Sequence, residues 1–135
     1  MEIPPPKDHS EGFLKIVEDA KSRIREISIE QYRKMLAAGE SGQLVDVRED
    51  EEWNAAHAAN AVHLGKGVIE RDIEHTFPDK KARLVLYCGG GFRSALAADA
   101  IQKMGYTDVL SLDGGWRAIL AAGLPIIEGT SLGKI

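Results

Sequence analysis

A single cysteine, Cys88, is present in the 135 residues, so no internal disulfide can form and whatever this residue does it does as a free thiol. No apolar run approaches the length of a membrane span, which argues against a membrane protein. Positive charge is not in excess: Lys plus Arg number 17 and Asp plus Glu 21, a net charge of -4 at pH 7. That is the wrong sign for neutralising many phosphates, and nucleic acid is not an expected partner. The opening MEIPPPK lacks the apolar core of a secretory leader, and with one cysteine the expected compartment is a reducing cytoplasm. His9, His57, His63 and His75 show no metal-ligand spacing, so no metal and no cofactor are expected. What is present is 44% hydrophobic and 28% charged residues, enough for the core of one ordinary domain.

Along the chain, Met1 to Ser10 holds three successive prolines without apolar periodicity and reads as a tail outside the fold, where no function is expected. From Glu11, Phe13, Leu14, Ile16, Val17, Ala20 and Ile24 predict the apolar stripe of a covering helix with Ser10 as N-cap. Ser28 with Gln31 forms a capping box, Ile27 and Tyr32 can staple it, and Gly39 stops that second helix. An edge strand is expected just before Ser28. Short apolar runs at Leu44 to Val47, Ala61 to Leu64, Arg83 to Tyr87 and Val109 to Leu112 read as buried strands. Helices follow most of them, including Ser94 to Met104, with Leu96, Ala97, Ala100, Ile101 and Met104 on one face, and a last helix around Trp116, Ile119 and Leu120. Strand alternating with helix predicts an α/β fold with a parallel-rich sheet covered on both faces.

In such sheets ligands sit beyond the carboxyl ends of the strands. The run LVLY ends in Cys88-Gly89-Gly90-Gly91-Phe92-Arg93-Ser94, followed by a helix. Three glycines let the backbone curl so that consecutive N–H groups point inward and cradle an anion, and the helix adds its positive N-terminal end. That field favours thiolate over thiol at Cys88, while Arg93 adds a permanent charge and a donor fork. A bland reading makes Cys88 a small buried residue at a tight turn; the glycines, arginine and helix start together favour chemistry. Gly89, Gly91 and Ser94 nearly spell a dinucleotide fingerprint, with Asp113 as a ribose ligand, but its last glycine is missing. A phosphate-binding Walker loop at Gly65-Lys66 fails because Asn60 stands at its first glycine and no Ser or Thr follows Lys66.

The sequence resembles the single-domain rhodaneses, or thiosulfate sulfurtransferases, from about Ile27 to Ile127. LVDVREDEEW is similar to the family's strand and acidic helix, YCGGGFRS to its active-site loop of the form C-x-x-G-x-R-S, and DGGWRAILAAGLPI to its closing segment. HLGKGVIE is similar to a segment whose basic residue, here Lys66, can lie near the site. The resemblance implies a three-layer sandwich, a mainly parallel five-stranded sheet flanked by helices, with Cys88 carrying a persulfide during turnover. It divides the chain into a tail and covering helix at 1–26, a rhodanese domain at 27–128 and a C-terminal tail at 129–135. Ala56 to Ala61 departs from the family's G-H-I-x-G-A, and Ile119 stands where a second tryptophan is frequent.

Related phosphatases and arsenate reductases have one more residue between cysteine and arginine; here only Gly89 to Phe92 intervene, which suits a sulfane sulfur better than a tetrahedral oxyanion. The expected reaction is ping-pong. Cys88 takes sulfur from thiosulfate or another small anionic donor and passes it to cyanide, a cellular thiol or a protein acceptor. Arg93 and Lys66 attract the donor. Asp46 and Arg48 read first as an ion-pair brace behind the loop, and Trp116 as a core anchor. A non-enzymatic rhodanese-like binding module and a phosphatase or arsenate-reductase-like enzyme remain alternatives.

Overall fold

The computed structural model describes residues 1–129; the tail expected at 129–135 lies outside the described residues apart from Gly129. Five short strands make one parallel sheet: β1 (Arg25–Ile27), β2 (Gln43–Asp46), β4 (Ala61–His63), β5 (Leu84–Tyr87) and β6 (Val109–Leu112), ordered β1-β6-β5-β2-β4. Asp46 pairs with both Tyr87 and His63, and Leu86 with Ser111, so the strands end along one edge. All four residues of β5 and of β6 are buried, as expected of strands covered on both faces.

Side-chain alternation divides the core in two. Leu84, Leu86 and Cys88 face one cluster with Val45, Ile69, Ile73, Ala98 and Ile101. Val85 and Tyr87 face the other with Tyr32, Leu44, Leu112, Trp116 and Ile119. The first layer is built by α1 (Glu11–Lys21), α4 (Ile69–Thr76) and α5 (Phe92–Lys103), the second by α2 (Ile29–Ala37) and α6 (Gly115–Ala121). Among the described residues no helix is long and apolar enough to cross a membrane.

Local signals produced these elements where they are self-contained. Ser10 Oγ accepts from Phe13 N, and Ser28 with Gln31 closes the capping box that starts α2. The stripe on α1 is narrower than the apolar residues predict. Val17 and Ala20 are buried, whereas Leu14 and Ile16 are exposed and Ile24 lies beyond the helix. One neighbour, α5, can cover only one arc of α1. The reverse holds for α5, which buries Ser94, Ala95, Ala97, Ala98, Asp99 and Ile101 while Leu96, Ala100 and Met104 are only half-buried. Sheet and helices wrap more than one of its sides.

The sequence pattern did not reveal two three-residue strands, β3 (Ala56–Ala58) and β7 (Ile126–Glu128), which pair antiparallel as a separate ribbon. The acidic helix α3 (Asp50–Ala55) precedes β3, and Trp53 stacks its ring on His57 with centroids 3.4 Å apart. His57 Nδ1 lies 3.0 Å from the Trp53 carbonyl.

Candidate active site

Cys88 follows β5 directly, and the loop Gly89 to Gly91 carries the chain into α5. Gly91 caps that helix with φ of +106°, a left-handed conformation that L side chains rarely adopt. This turn brings two amides onto the sulfur: Gly91 N–H donates to Cys88 Sγ at 3.1 Å and Ser94 N–H at 3.3 Å. Ser94 Oγ lies 3.6 Å from Sγ and 2.8 Å from Ser111 Oγ.

The other face of the loop explains why its amides are free to turn inward. The Cys88 carbonyl accepts from Trp116 N–H at 2.7 Å, and the Gly89 carbonyl from Arg117 N–H at 3.3 Å. Both carbonyls are thereby held toward α6. The N–H groups of Gly89, Gly90, Phe92 and Arg93 have no acceptor among the described residues. Gly115, with φ of +47°, permits this contact: a Cβ there would stand 2.3 Å from the Cys88 carbonyl oxygen. Cys88 is 1% exposed and sits in the floor of a cavity of about 1000 Å³.

Arg93 reaches that cavity but is committed to Glu52 through two bonds, 2.6 Å from Nη1 and 3.0 Å from Nη2. These bonds, opposed by burial and aided by negative charge at Cys88, hold the guanidinium above its ordinary pKa. Burial raises the pKa of Glu52, yet the Arg93 hydrogen bond, the Glu49 amide and the nearby guanidinium charges outweigh it and keep the carboxyl below its ordinary value.

Behind the loop, Asp46 and Arg48 form a buried ion pair. Arg48 Nε and Nη2 donate to the carboxylate at 2.8 to 3.1 Å, Nη2 also to the Ala56 carbonyl at 2.7 Å, and the guanidinium lies 4.6 Å from the Trp116 ring centre. Burial opposes the charge on Arg48, but the Asp46 carboxylate more than compensates and its pKa stands raised. Tyr87 Oη donates to Asp46 Oδ2 as well, and its pKa is raised by burial and by that carboxylate.

Lys66 is not brought to the site: its side chain is absent from the cavity lining, and its amide bonds the Val47 carbonyl in the segment before α4. In its place stands Arg117, which the sequence reading did not single out. Its guanidinium lies against the loop, where a Cβ on Gly90 would be 2.6 Å from Nη2. The signal available for it was only its position two residues after Gly115. The N-terminal segment, expected outside the fold, lies across the cavity: Pro4 to His9 line it, and the His9 ring meets Phe92 edge-on at 4.6 Å.

Comparisons with known proteins agree with this architecture. A protein-family model, the rhodanese-like domain, matches residues 28–122. YrkF of Bacillus subtilis, whose name describes a sulfur carrier protein, is 32% identical over 96 residues, covering 71% of this chain and 51% of that one. The chain thus spans about half the length of that relative. Thiosulfate sulfurtransferase GlpE of Vibrio cholerae is 35% identical over 83 residues, 62% of this chain and 76% of GlpE. Among solved structures, RPA3614 of Rhodopseudomonas palustris, a protein of unknown function named with a suggestion of tyrosine phosphatase activity, has a TM-score of 0.74 at 29% identity, covering 92% of this chain and all of that one. The family match takes in the parallel sheet from β2 to β6 together with the Cys88 loop, and the chain belongs to the rhodanese-like domain family.

Proposed function

We propose that the chain is a sulfurtransferase that works through a persulfide on Cys88. The Cys88 thiolate attacks the outer sulfur of thiosulfate; the new S–S bond forms as the old one breaks, and sulfite leaves with the electron pair. Cyanide or a thiolate then takes the outer sulfur, and Cys88 returns as thiolate. The observation that carries this reading is the pair of amides on Sγ within a loop of only four residues, since inward N–H groups stabilise sulfur that bears negative charge. The free amides of Gly89, Gly90, Phe92 and Arg93 are available to a terminal persulfide sulfur. Asp46, Arg48 and Tyr87 brace the loop from behind, and Phe92 and Ser94 shape its rim and floor.

Treatment with thiosulfate is expected to add the mass of one sulfur atom, which cyanide removes; Cys88→Ser accepts none. Turnover by the serine variant would overturn the assignment. A folded native chain that never loads would leave a binding module. The name attached to RPA3614 favours testing an aryl phosphate in parallel. Negligible hydrolysis is expected, because the loop is short and Glu52 already occupies the Arg93 fork.

A further inference from the structure

The cavity over Cys88 is much larger than an inorganic sulfur anion needs. About 1000 Å³ is at the upper end for sites that take organic ligands of drug size. Its walls differ in character. One side carries an apolar patch of Pro4 to Pro6 of the N-terminal segment, Phe13 and the exposed Leu14 of α1, beside which Lys7, Asp8 and Phe92 complete the lining. His9 and Phe13 both pack on Phe92, with ring centres at 4.6 and 6.4 Å, so this wall is tied to the Cys88 loop.

The charges on the opposite side sort by whether they are spent. Arg48 is bound to Asp46 and the Ala56 carbonyl and is 3% exposed. Arg93 is bound through both terminal nitrogens to Glu52. Arg117 has no carboxylate and no side-chain hydrogen bond among the described residues, and its guanidinium rests on Gly90 of the loop. An uncommitted donor fork therefore stands at Gly90 in the cavity that Cys88 and the apolar patch also line. A planar guanidinium without a partner is suited to a carboxylate, which it can bind through two parallel bonds.

We propose that the sulfur compound served by this site is organic: a thiol and its persulfide that carry a carboxylate, bound by Arg117, and an apolar body, packed against Pro4 to Pro6, Phe13 and Leu14. This rests on the sulfur-transfer reading and names its acceptor class. The thiolate attacks the outer sulfur of the Cys88 persulfide, the S–S bond to Cys88 breaks, and Cys88 leaves as thiolate while the acceptor departs as persulfide. The sulfane sulfur keeps its oxidation level, so no oxidant or reductant is required. Run in reverse, the same step loads Cys88 from the organic persulfide.

Two measurements on the full chain test this. In the first, persulfide-loaded protein is discharged by 4-(sulfanylmethyl)benzoate, by phenylmethanethiol, which lacks the carboxylate, and by 3-sulfanylpropanoate, which lacks the aromatic body, with rates expressed per thiolate. The benzoate is expected to exceed phenylmethanethiol by about tenfold, the worth of one charge-assisted hydrogen-bonded contact, and 3-sulfanylpropanoate by about tenfold through the apolar area its ring buries. Arg117→Gln should collapse the benzoate-to-phenylmethanethiol ratio toward one, with Arg117→Lys restoring part of it. Leu14→Glu, an exposed position where the fold tolerates a charge, should collapse the benzoate-to-sulfanylpropanoate ratio. In the second, Cys88→Ser is titrated with the unreactive thioether 4-(methylsulfanylmethyl)benzoate, and binding should weaken in the Cys88→Ser, Arg117→Gln double variant. A chain that loads and discharges all three thiols alike, or whose ratios ignore Arg117, overturns the proposal and leaves sulfur transfer standing. Arg117-dependent binding by a chain that never loads would overturn the transfer step and, with it, the assignment of a sulfur acceptor.

Discussion

Cys88 depends on residues that keep their distance from it in the chain. Gly115 is the tightest of them, because its left-handed φ and the missing Cβ let α6 hold the Cys88 carbonyl. Gly115→Ala is expected to cost about 1 to 3 kcal/mol through backbone strain and to abolish most persulfide loading, measured by intact mass. Gly67→Ala, where a Cβ meets nothing within 4 Å, should load normally. Glu52 is the other distant partner. Glu52→Gln releases the Arg93 charge toward the cavity, so thiosulfate loading should accelerate a few-fold at low ionic strength, and added salt should shrink the difference. The same variant has a pH signature. A carboxyl held below its ordinary value of about 4.5 stabilises the fold fully above that pH and loses the contribution as pH falls through the folded pKa. The native chain should therefore lose stability below about pH 4.5 more steeply than the variant, as read by urea midpoints across pH.

Among the elements, β2 has the most to lose at its end, where Asp46 is fully buried and accepts from Arg48 and Tyr87. Asp46→Asn leaves a guanidinium of 3% exposure without its counter-ion. The expected cost is about 3 to 5 kcal/mol, seen as a lower denaturant midpoint with an unchanged slope. The first helix is held differently. Arg23 donates to Asp99 on α5 at 2.8 and 2.9 Å and to Asp19 on α1 at 2.8 and 3.1 Å, which fastens the end of α1 beside its two buried residues.

For the molecule as a whole, α1 and the segment before it are both cover and wall. Deleting residues 1–20 uncovers the side of α5 against which Val17 and Ala20 are buried and removes the cavity roof. A lower Tm is expected, by several degrees for a domain of this size, with the capacity to take sulfur from thiosulfate retained, because the amides on Sγ come from the loop. Loss of loading in a truncated chain shown to remain folded would assign the N-terminal segment a part in the chemistry itself.

The sequence by itself determined whatever rests on neighbours in the chain. Cys88, its three glycines and Ser94 lie within seven residues, so a loop able to turn amides onto the sulfur was legible there, although α6 holds the carbonyls that complete the turn; Ser28 and Gln31 are one helical turn apart and close their own capping box. The buried strands were legible because a strand covered on both faces must be continuously apolar. Tertiary structure decided the rest, and for one physical reason: each remaining feature is a pairing between segments whose separation carries no periodic signal. Three-residue strands such as β3 and β7 acquire identity only from each other. Arg93 and Lys66 are the cations the sequence offers to attract a donor, yet charge says nothing of partners; the fold bound Arg93 to Glu52, left Lys66 outside the cavity and laid Arg117 on Gly90. Likewise, nothing in a run of prolines indicates what it covers, and only the packing of His9 and Phe13 on Phe92 turned the first residues into the roof of the site.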